Sequence, residues 1–356
     1  MTLQAPLPTQ ALVIGAGPVG LFQIFQLGLL GRHAEVVDAL PHAGGQCAVL
    51  YPDKPIYDIP GLPACTAGEL VERLLEQVRP FRPGFHWQHC ISAFERSDDG
   101  RYLVTSDRGT RWLADEIFIA AGVGAFVPRK LALPGAEAIE GRHLHYHLPA
   151  HGALAGRQVV IVGDGDEALS AAIALAQADS ARAGEITLNY RRETLRAQPH
   201  LVESMQALRA AGRLRFVVGP LSALHVEGEV LRGVDLFTPE GQAQRLAADT
   251  LVVLQGLSPR LGPLLEWGLN LDHKQIKVDT QRFETSLPGV YAVGDINAYA
   301  GKRKLIVCGF HEATLAAYAA AARHTPTGEV PLLYSTTSTL LHERLHAAPH
   351  DGDATA

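Results

Sequence analysis

The feature that most narrows the fold is one turn and what flanks it. Gly15-Ala16-Gly17-Pro18-Val19-Gly20 follows the apolar run Ala11-Leu12-Val13-Ile14, opens a helix-like apolar pattern, and leads into a strand-like Ala-Glu-Val-Val-Asp that ends at Asp38. A strand, a GxGxxG turn, a helix and a second strand ending in an acid make up a complete Rossmann unit. The glycines of this pattern, Gly15, Gly17 and Gly20, allow a tight turn and close approach of a pyrophosphate. The helix that follows offers the anion free N–H groups and the positive end of its dipole. Asp38 can accept hydrogen bonds from a ribose.

A second unit stands downstream. The run Gln158-Val159-Val160-Ile161-Val162 meets Gly163-Asp164-Gly165-Asp166-Glu167-Ala168, the GxGxxA variant with its marks at Gly163, Gly165 and Ala168. The next strand ends in Tyr190-Arg191-Arg192, where the first unit has an acid. Guanidinium groups bind a phosphate through parallel hydrogen bonds, so Arg191 and Arg192 favour the 2′-phosphate of NADP over NAD. Asp164 and Asp166 lie where they oppose that anion. Two units imply two nucleotide cofactors, read economically as FAD and NADP(H). The fold class follows: α/β, with two Rossmann-like three-layer (ββα) dinucleotide-binding domains, the second inserted into the first.

Composition excludes other classes. The 356 residues are 47% hydrophobic, enough for two cores, and the net charge of −6 is spread along the chain without a basic run for nucleic acid. The longest apolar stretches are broken by glycine, which argues against a membrane span. The first ten residues lack the basic-then-apolar pattern of a signal peptide. The four cysteines, Cys47, Cys65, Cys90 and Cys308, form no CxxC, which fits free thiols in a reducing cytoplasm.

Chain order places the insertion. A helix is expected over Thr66–Phe81, then strand-like segments lead into Gly122-Val123-Gly124-Ala125, where small residues let the chain pass close to a nucleotide. The first domain resumes late, in Gly289-Val290-Tyr291-Ala292-Val293-Gly294-Asp295. The boundaries expected are 1–127 with 279–333 for the FAD domain, 128–278 for the NADP(H) domain, and 334–356 for an extension covering the flavin, with a disordered end. One segment needs another explanation. Gly44–Gly61, GGQCAVLYPDKPIYDIPG, reads as neither helix nor ordinary strand, and the Rossmann pattern does not require it.

That segment, with GAGPVG, AAGVGAFVPR, GDGDEAL, YRRETLRA, GVYAVGDI and LIVCGFHEA, resembles the thioredoxin-reductase-like class of ferredoxin/flavodoxin–NADP⁺ reductases, in the FAD-dependent pyridine nucleotide reductase superfamily. The similarity runs from about Ala11 into the 330s. It implies that Gly45 lets the chain approach FAD, that Gln46 holds its flavin side and that Tyr51 stacks on one flavin face. It also implies that Asp38 binds a ribose, where the family more often has Glu, that Ile91 meets the adenine through backbone groups and that Phe126 lines the flavin site. Asp295 is implied on the ribityl or phosphate side. A helix starting near Glu312 and Ala313 is implied to point at the flavin O2 edge. In the extension, Tyr334, where relatives often have His, is implied to stack opposite Tyr51, with Thr336 on the FAD, often from the other subunit of a homodimer.

What this resemblance implies is an NADPH- and FAD-dependent oxidoreductase, a ferredoxin–NADP⁺ reductase that sends hydride from NADPH to FAD and single electrons on to ferredoxin or flavodoxin, reversibly. Tyr51 and Tyr334 act by stacking, with no general base. The redox CxxC of thioredoxin reductases is missing: its position falls near Arg142–Gly156, which has no cysteine, so a dithiol relay is chemically closed. Reduction of another acceptor, such as a small disulfide or a ferric chelate, stays open, as does a non-catalytic sensor. His143, His145 and His147 alternate and read either as a metal site or as a surface strand or loop, the latter favoured because no acid or cysteine accompanies them. Lys302–Lys304 reads as a docking patch for an acidic carrier or as a solvated loop.

Overall fold

The computed structural model describes residues 5–163, 165–178, 183–195 and 197–346. The chain divides into two units: one holds residues up to Phe126 and from Pro259 onward, the other runs Val127–Ser258. The first passage lies within a residue of the boundary expected from the sequence. The return comes at 259, not 279. Leu264, Leu269 and Ile276 are buried with Leu12, Ile14 and Ile117, so residues 259–278 complete the first unit's core, and no motif in the sequence marks them.

The first unit opens with β1 (Leu7–Ile14), α1 (Pro18–Leu29) and β2 (Ala34–Asp38). β1 and β2 pair in parallel, Ala11 beside Ala34 and Ile14 beside Val37. Then come α2 (Gly45–Leu50), α3 (Ala67–Val78), β3 (Gly84–Trp87) and the meander β4 (Ile91–Arg96), β5 (Tyr102–Ser106), β6 (Arg111–Ile119). The sheet order is β3-β2-β1-β6-β5-β4. β6 serves two layers: Ala114 faces Tyr102 of antiparallel β5, while Ile117 faces Val290 of the parallel strand Val290–Ala292.

Alternation along β1 explains its unbroken apolar run. Ala11 and Val13 pack with Leu21, Ile24 and Leu27 of α1 and Leu70 and Leu74 of α3. Leu12 and Ile14 pack on the opposite face with Tyr102, Val104 and Trp112 of the meander. A strand covered on both faces has no solvent side on which to place polar residues. α3 starts where Thr66 and Glu69 form a reciprocal capping box, and its buried Leu70, Val71, Leu74 and Val78 make one face.

The Gly44–Gly61 segment departs from the sequence reading, because it contains the six-residue helix α2. Gly44, at φ +118°, enters it in a left-handed conformation that suits glycine, and the first proline comes only at Pro52, so nothing breaks residues 45–50. Beyond it, Pro55–Ile56 pairs antiparallel with Cys65–Thr66.

The second unit repeats the plan. Its elements are β7 (Leu144–His145), β8 (Gln158–Gly163), α4 (Asp166–Gln177), β9 (Glu185–Tyr190), α5 (Pro199–Ala210), β10 (Arg215–Val218), the antiparallel β11 (Leu221–Glu227), β12 (Val230–Phe237), β13 (Ala243–Ala247), and β14 (Thr250–Leu254). The parallel sheet runs β7-β14-β8-β9-β10. Val159 and Ile161 pack toward Leu169, Ala172 and Met205 on the helical side, and Val160 and Val162 toward Leu231, Val234 and Leu236 of the meander.

The chain ends in the first unit with α6 (Ile306–Arg323) and α7 (Thr339–Leu345). α6 lays Ala316, Ala317 and Ala320 into the α1 and α3 core. Among the described residues no helix is long and apolar enough to cross a membrane.

Candidate functional site

The first unit's turn is built to admit an anion. Gly15 sits at φ +106°, and a Cβ there would lie 2.5 Å from the Ala120 carbonyl oxygen. A Cβ on Gly20 would lie 1.9 Å from the Gly15 oxygen, so the turn closes only with glycine at both positions. Gly17 differs: a Cβ there would meet nothing within 4 Å. It is the extended N-cap of α1, which has no side-chain cap and no acid in its first turn. Free N–H groups facing open space suit a pyrophosphate, so the cradle fits a dinucleotide. Asp38 is buried, and burial raises its carboxyl above the usual range against the pull of two backbone donors. Its Oδ2 accepts from Ala16 N–H at 2.6 Å and its Oδ1 from Leu40 N–H at 2.8 Å. It therefore also fastens the turn beside it.

The Gly44–Gly61 segment folds back onto this turn. Gly44 N–H donates to the Ala16 carbonyl at 2.9 Å, and a Cβ on Gly45 would lie 3.2 Å from Gly17 Cα. The next residue, Gln46, donates from Nε2 to Asp295 Oδ2 at 3.3 Å, and its amide nitrogen lies 3.4 Å from where a Gly122 Cβ would stand. Tyr51 ends α2, half-buried, with Lys54 Nζ 5.9 Å from its ring centre. Burial is the main cause that pushes its pKa up to about 12, with the nearby Cys47 thiol adding to the rise. Cys47, whose thiol burial also pushes up, stays protonated and packs. Gly15, Gly17, Gly20, Asp38, Gly45, Gln46, Tyr51 and Asp295 thus converge, although 280 positions separate Gly15 from Asp295.

Five other residues were expected at this site. Ile91 is 8% exposed, packed with Leu12, Ile14 and Val37, and His89 just before it donates its N–H to the Asp38 carbonyl at 3.0 Å. Ala313 is not at a helix start: α6 begins at Ile306, and Ala313 lies two turns in, wholly buried. Uninterrupted apolar residues from Leu305 extend the helix upstream. Tyr334 is 65% exposed, and among the described residues neither its side chain nor that of Thr336 hydrogen-bonds or stacks on another. The tail then folds into α7, which the sequence reading did not foresee. Ser338 Oγ caps it by accepting from Leu341 N–H, and Arg344 bonds the Leu29 carbonyl at the end of α1 remote from the turn. The side chain of Phe126 lies outside the described residues, as do the last ten positions, 347–356.

The second unit forms its own cradle. A Cβ on Gly163 would lie 2.4 Å from both Ala168 Cβ and the Leu254 oxygen, and Ala168 is fully buried where a larger residue has no room. Gly165, the extended N-cap of α4, has open space beside it. Asp164 lies outside the described residues. Asp166 is turned aside, with Oδ1 accepting from Gln198 N–H at 2.8 Å, which eases one of the two opposing charges expected there. Arg191 and Arg192 follow the buried Tyr190 at the end of β9, both exposed. Among the described residues neither pairs with a carboxylate, so both remain available to a phosphate.

Two surface segments take definite form. β7 covers only Leu144–His145, so the alternation of His143, His145 and His147 does not lie on one strand face. His143 Nδ1 bonds the Asp249 carbonyl at 2.7 Å, and the rings of His145 and His147 stand 6.4 Å apart. Lys302 is not a docking residue: it is 9% exposed and paired with Glu312, while Arg303 and Lys304 are exposed. Sequence reasoning missed Glu312 as a buried carboxylate. The signal was there, a lone acid amid the small and apolar residues of Ile306–Ala322.

The whole of this architecture has relatives. Residues 9–321 match the pyridine nucleotide-disulphide oxidoreductase family model. A ferredoxin–NADP reductase of Verminephrobacter eiseniae is 50% identical over 97% of this chain and 98% of its own, and one of an Acidovorax species is 51% identical over 97% of each. A thioredoxin reductase from Gloeobacter violaceus shares the fold at a TM-score of 0.57 with 20% identity, over 92% of this chain and 98% of that one. Carrying both dinucleotide turns, the inserted second unit and this full-length similarity, the chain belongs to the pyridine nucleotide-disulphide oxidoreductase family, among its ferredoxin–NADP reductases.

Proposed function

We infer that the protein is an NADPH- and FAD-dependent reductase that passes electrons one at a time to ferredoxin. The observation that carries this choice is where the thiols stand. Both nucleotide cradles are intact, yet all four cysteines lie outside Val127–Ser258, so the second unit has no dithiol to take electrons from a flavin. Bound FAD supplies the step from two-electron to one-electron chemistry. The chain's own groups do the rest. The α1 N-terminus with Gly17 holds the FAD pyrophosphate, Asp38 a ribose, and Gln46 and Asp295 the flavin side. Tyr51, neutral at assay pH because its pKa is near 12, offers a flat, unionised face for stacking. In the second unit Gly163, Gly165 and the α4 N-terminus hold the NADP pyrophosphate, and Arg191 and Arg192 its 2′-phosphate. No side-chain acid or base is needed for hydride transfer.

Finer parts of this reading extend it. The working form is a cytoplasmic homodimer in which the tail of one chain brings Tyr334 and Thr336 over the flavin of the other. Exposure of Tyr334, and an α7 anchored on the far end of its own α1, support this. Flavodoxin is the alternative carrier, and the exposed Arg303 and Lys304 suit an acidic partner of either kind. The deciding experiment mixes purified holoprotein with NADPH and, in turn, ferredoxins, flavodoxins and small disulfides. Reduction of a ferredoxin at least tenfold faster than of any disulfide is expected. The reverse order excludes this function. Light scattering on the full chain and on a chain ending at Leu333 tests the dimer and its tail.

A further inference from the structure

Glu312 lies within α6 with no exposed surface. Four donors fill its two oxygens. Oε2 accepts from Gly294 N–H at 2.7 Å and Asn297 Nδ2 at 2.8 Å, and Oε1 from Tyr299 Oη at 2.9 Å and Lys302 Nζ at 2.5 Å. Lys302 Nζ also donates to the Gly294 carbonyl at 2.9 Å. Both backbone polar groups of Gly294, a residue at φ +78°, are therefore held by the two ends of one ion pair. The next residue is Asp295. Its carbonyl accepts from Gln275 Nε2 at 2.9 Å, and its Oδ2 from Gln46 at 3.3 Å. Among the described residues its Oδ1 has no donor and is left for a ligand.

Removing a charged pair from water is costly, and an apolar pair of similar size stabilises a core at least as well. A lone Glu and Lys buried at this point therefore call for a role beyond packing. We propose that Glu312 and Lys302 are positioning residues for the flavin site, fixing the Gly294 peptide so that Asp295 presents its free carboxylate oxygen to FAD. The pair acts only through Asp295, and the inference rests on Asp295 being an FAD contact, as the proposed function holds.

The test uses full-length apoprotein, prepared by removing FAD and titrated with FAD while the quenching of flavin fluorescence is followed. Three variants are compared with the parent: Asp295→Asn, Glu312→Gln and the double Asp295→Asn/Glu312→Gln. The expected result is about a tenfold weaker Kd for Asp295→Asn and for Glu312→Gln, the scale of one lost hydrogen bond to a charged group. The double variant adds less than about twofold to either. Far-UV circular dichroism of each apoprotein checks the fold. If Glu312→Gln does not fold, Lys302→Met/Glu312→Gln removes both charges together and replaces it, with the same tenfold loss expected. FAD binding within twofold of the parent by Glu312→Gln, or by that pair, alongside a weakened Asp295→Asn, overturns the positioning role alone. An unchanged Asp295→Asn removes Asp295 from the FAD site, and the positioning role with it.

Discussion

At the scale of single residues, the two cradles divide their work between glycines and charges, and the charges make the sharper test. Arg191 and Arg192 are exposed, and among the described residues neither is paired, so their replacement leaves no buried group stranded and leaves the fold intact. Arg191→Ala/Arg192→Ala should raise the KM for NADPH by about 10- to 100-fold, the scale of one or two charge-assisted hydrogen bonds, with the KM for NADH changed less than about twofold. Steady-state kinetics with both nucleotides measure this, and equal losses would show that the arginines do not read the 2′-phosphate. Tyr51 makes a second test. Stacking needs its ring and not its hydroxyl, so Tyr51→Phe should leave the flavin spectrum and the rate of reduction by NADPH within about twofold, while Tyr51→Ala should shift the spectrum and slow the reaction. Rapid-mixing absorbance would decide, and a large effect of Phe would point to the hydroxyl instead of the ring. The glycines and arginines were visible in the sequence because a phosphate cradle would need glycine and a 2′-phosphate would need guanidinium at fixed places after a strand. The partners of Glu312 were not, since Gly294, Asn297, Tyr299 and Lys302 owe their closeness to a loop whose path no local pattern states.

At the scale of elements, the helices that frame the flavin cradle are held at close range. A Cβ on Gly309 would stand 2.4 Å from Val19 Cγ2, which puts α6 against the first turn of α1. Glycine inside a helix costs roughly 1 kcal/mol relative to alanine, so its presence marks a contact that leaves no room for a methyl group. Gly309→Ala should lose about 1–3 kcal/mol to overpacking against a propensity gain of about 1, and so lower Tm. Val19→Ala in the same chain should restore part of the loss. Thermal unfolding of the two single variants and the double would show this as a coupling between them, and additive losses would mean that the helices do not meet there. Elements with a local cause were foreseeable. The β1 run is apolar because both its faces are covered, and α3 opens on a capping box. The elements missed lack such a cause or hide it. α2 sits in a segment whose prolines and tyrosines suggest a loop, α7 is short and its Ser338 cap follows a run of Ser and Thr, and the start of α6 moved upstream because Leu305–Phe310 carries no cap signal.

At the scale of the whole molecule, the first unit must be closed by chain that arrives after the insertion, and one buried cluster joins the two parts. Glu116, 1% exposed on β6, bonds Arg32 beyond the end of α1 and His324 at the end of α6. Burial is the largest influence on its carboxyl and raises it from the ordinary 4.5, against the pull of His324 and Arg32. An acid whose folded pKa exceeds its unfolded value binds more protons in the native state. Its contribution to stability is then fully present below pH 4.5 and is lost as pH rises through the folded value. Glu116→Gln cannot titrate, so the stability difference between the parent and this variant should shift against the parent as pH rises from 4.5. Arg32 stays charged throughout and changes the offset between the two curves, not their slope. The comparison belongs in a His324→Gln background, where no imidazole shares the Glu116 carboxylate. Urea unfolding at pH 4.5, 6 and 7.5 measures it. A difference that turns toward the parent as pH rises would mean that the ion pair with Arg32 outweighs burial, and a flat one that the two cancel; either outcome would overturn the raised pKa.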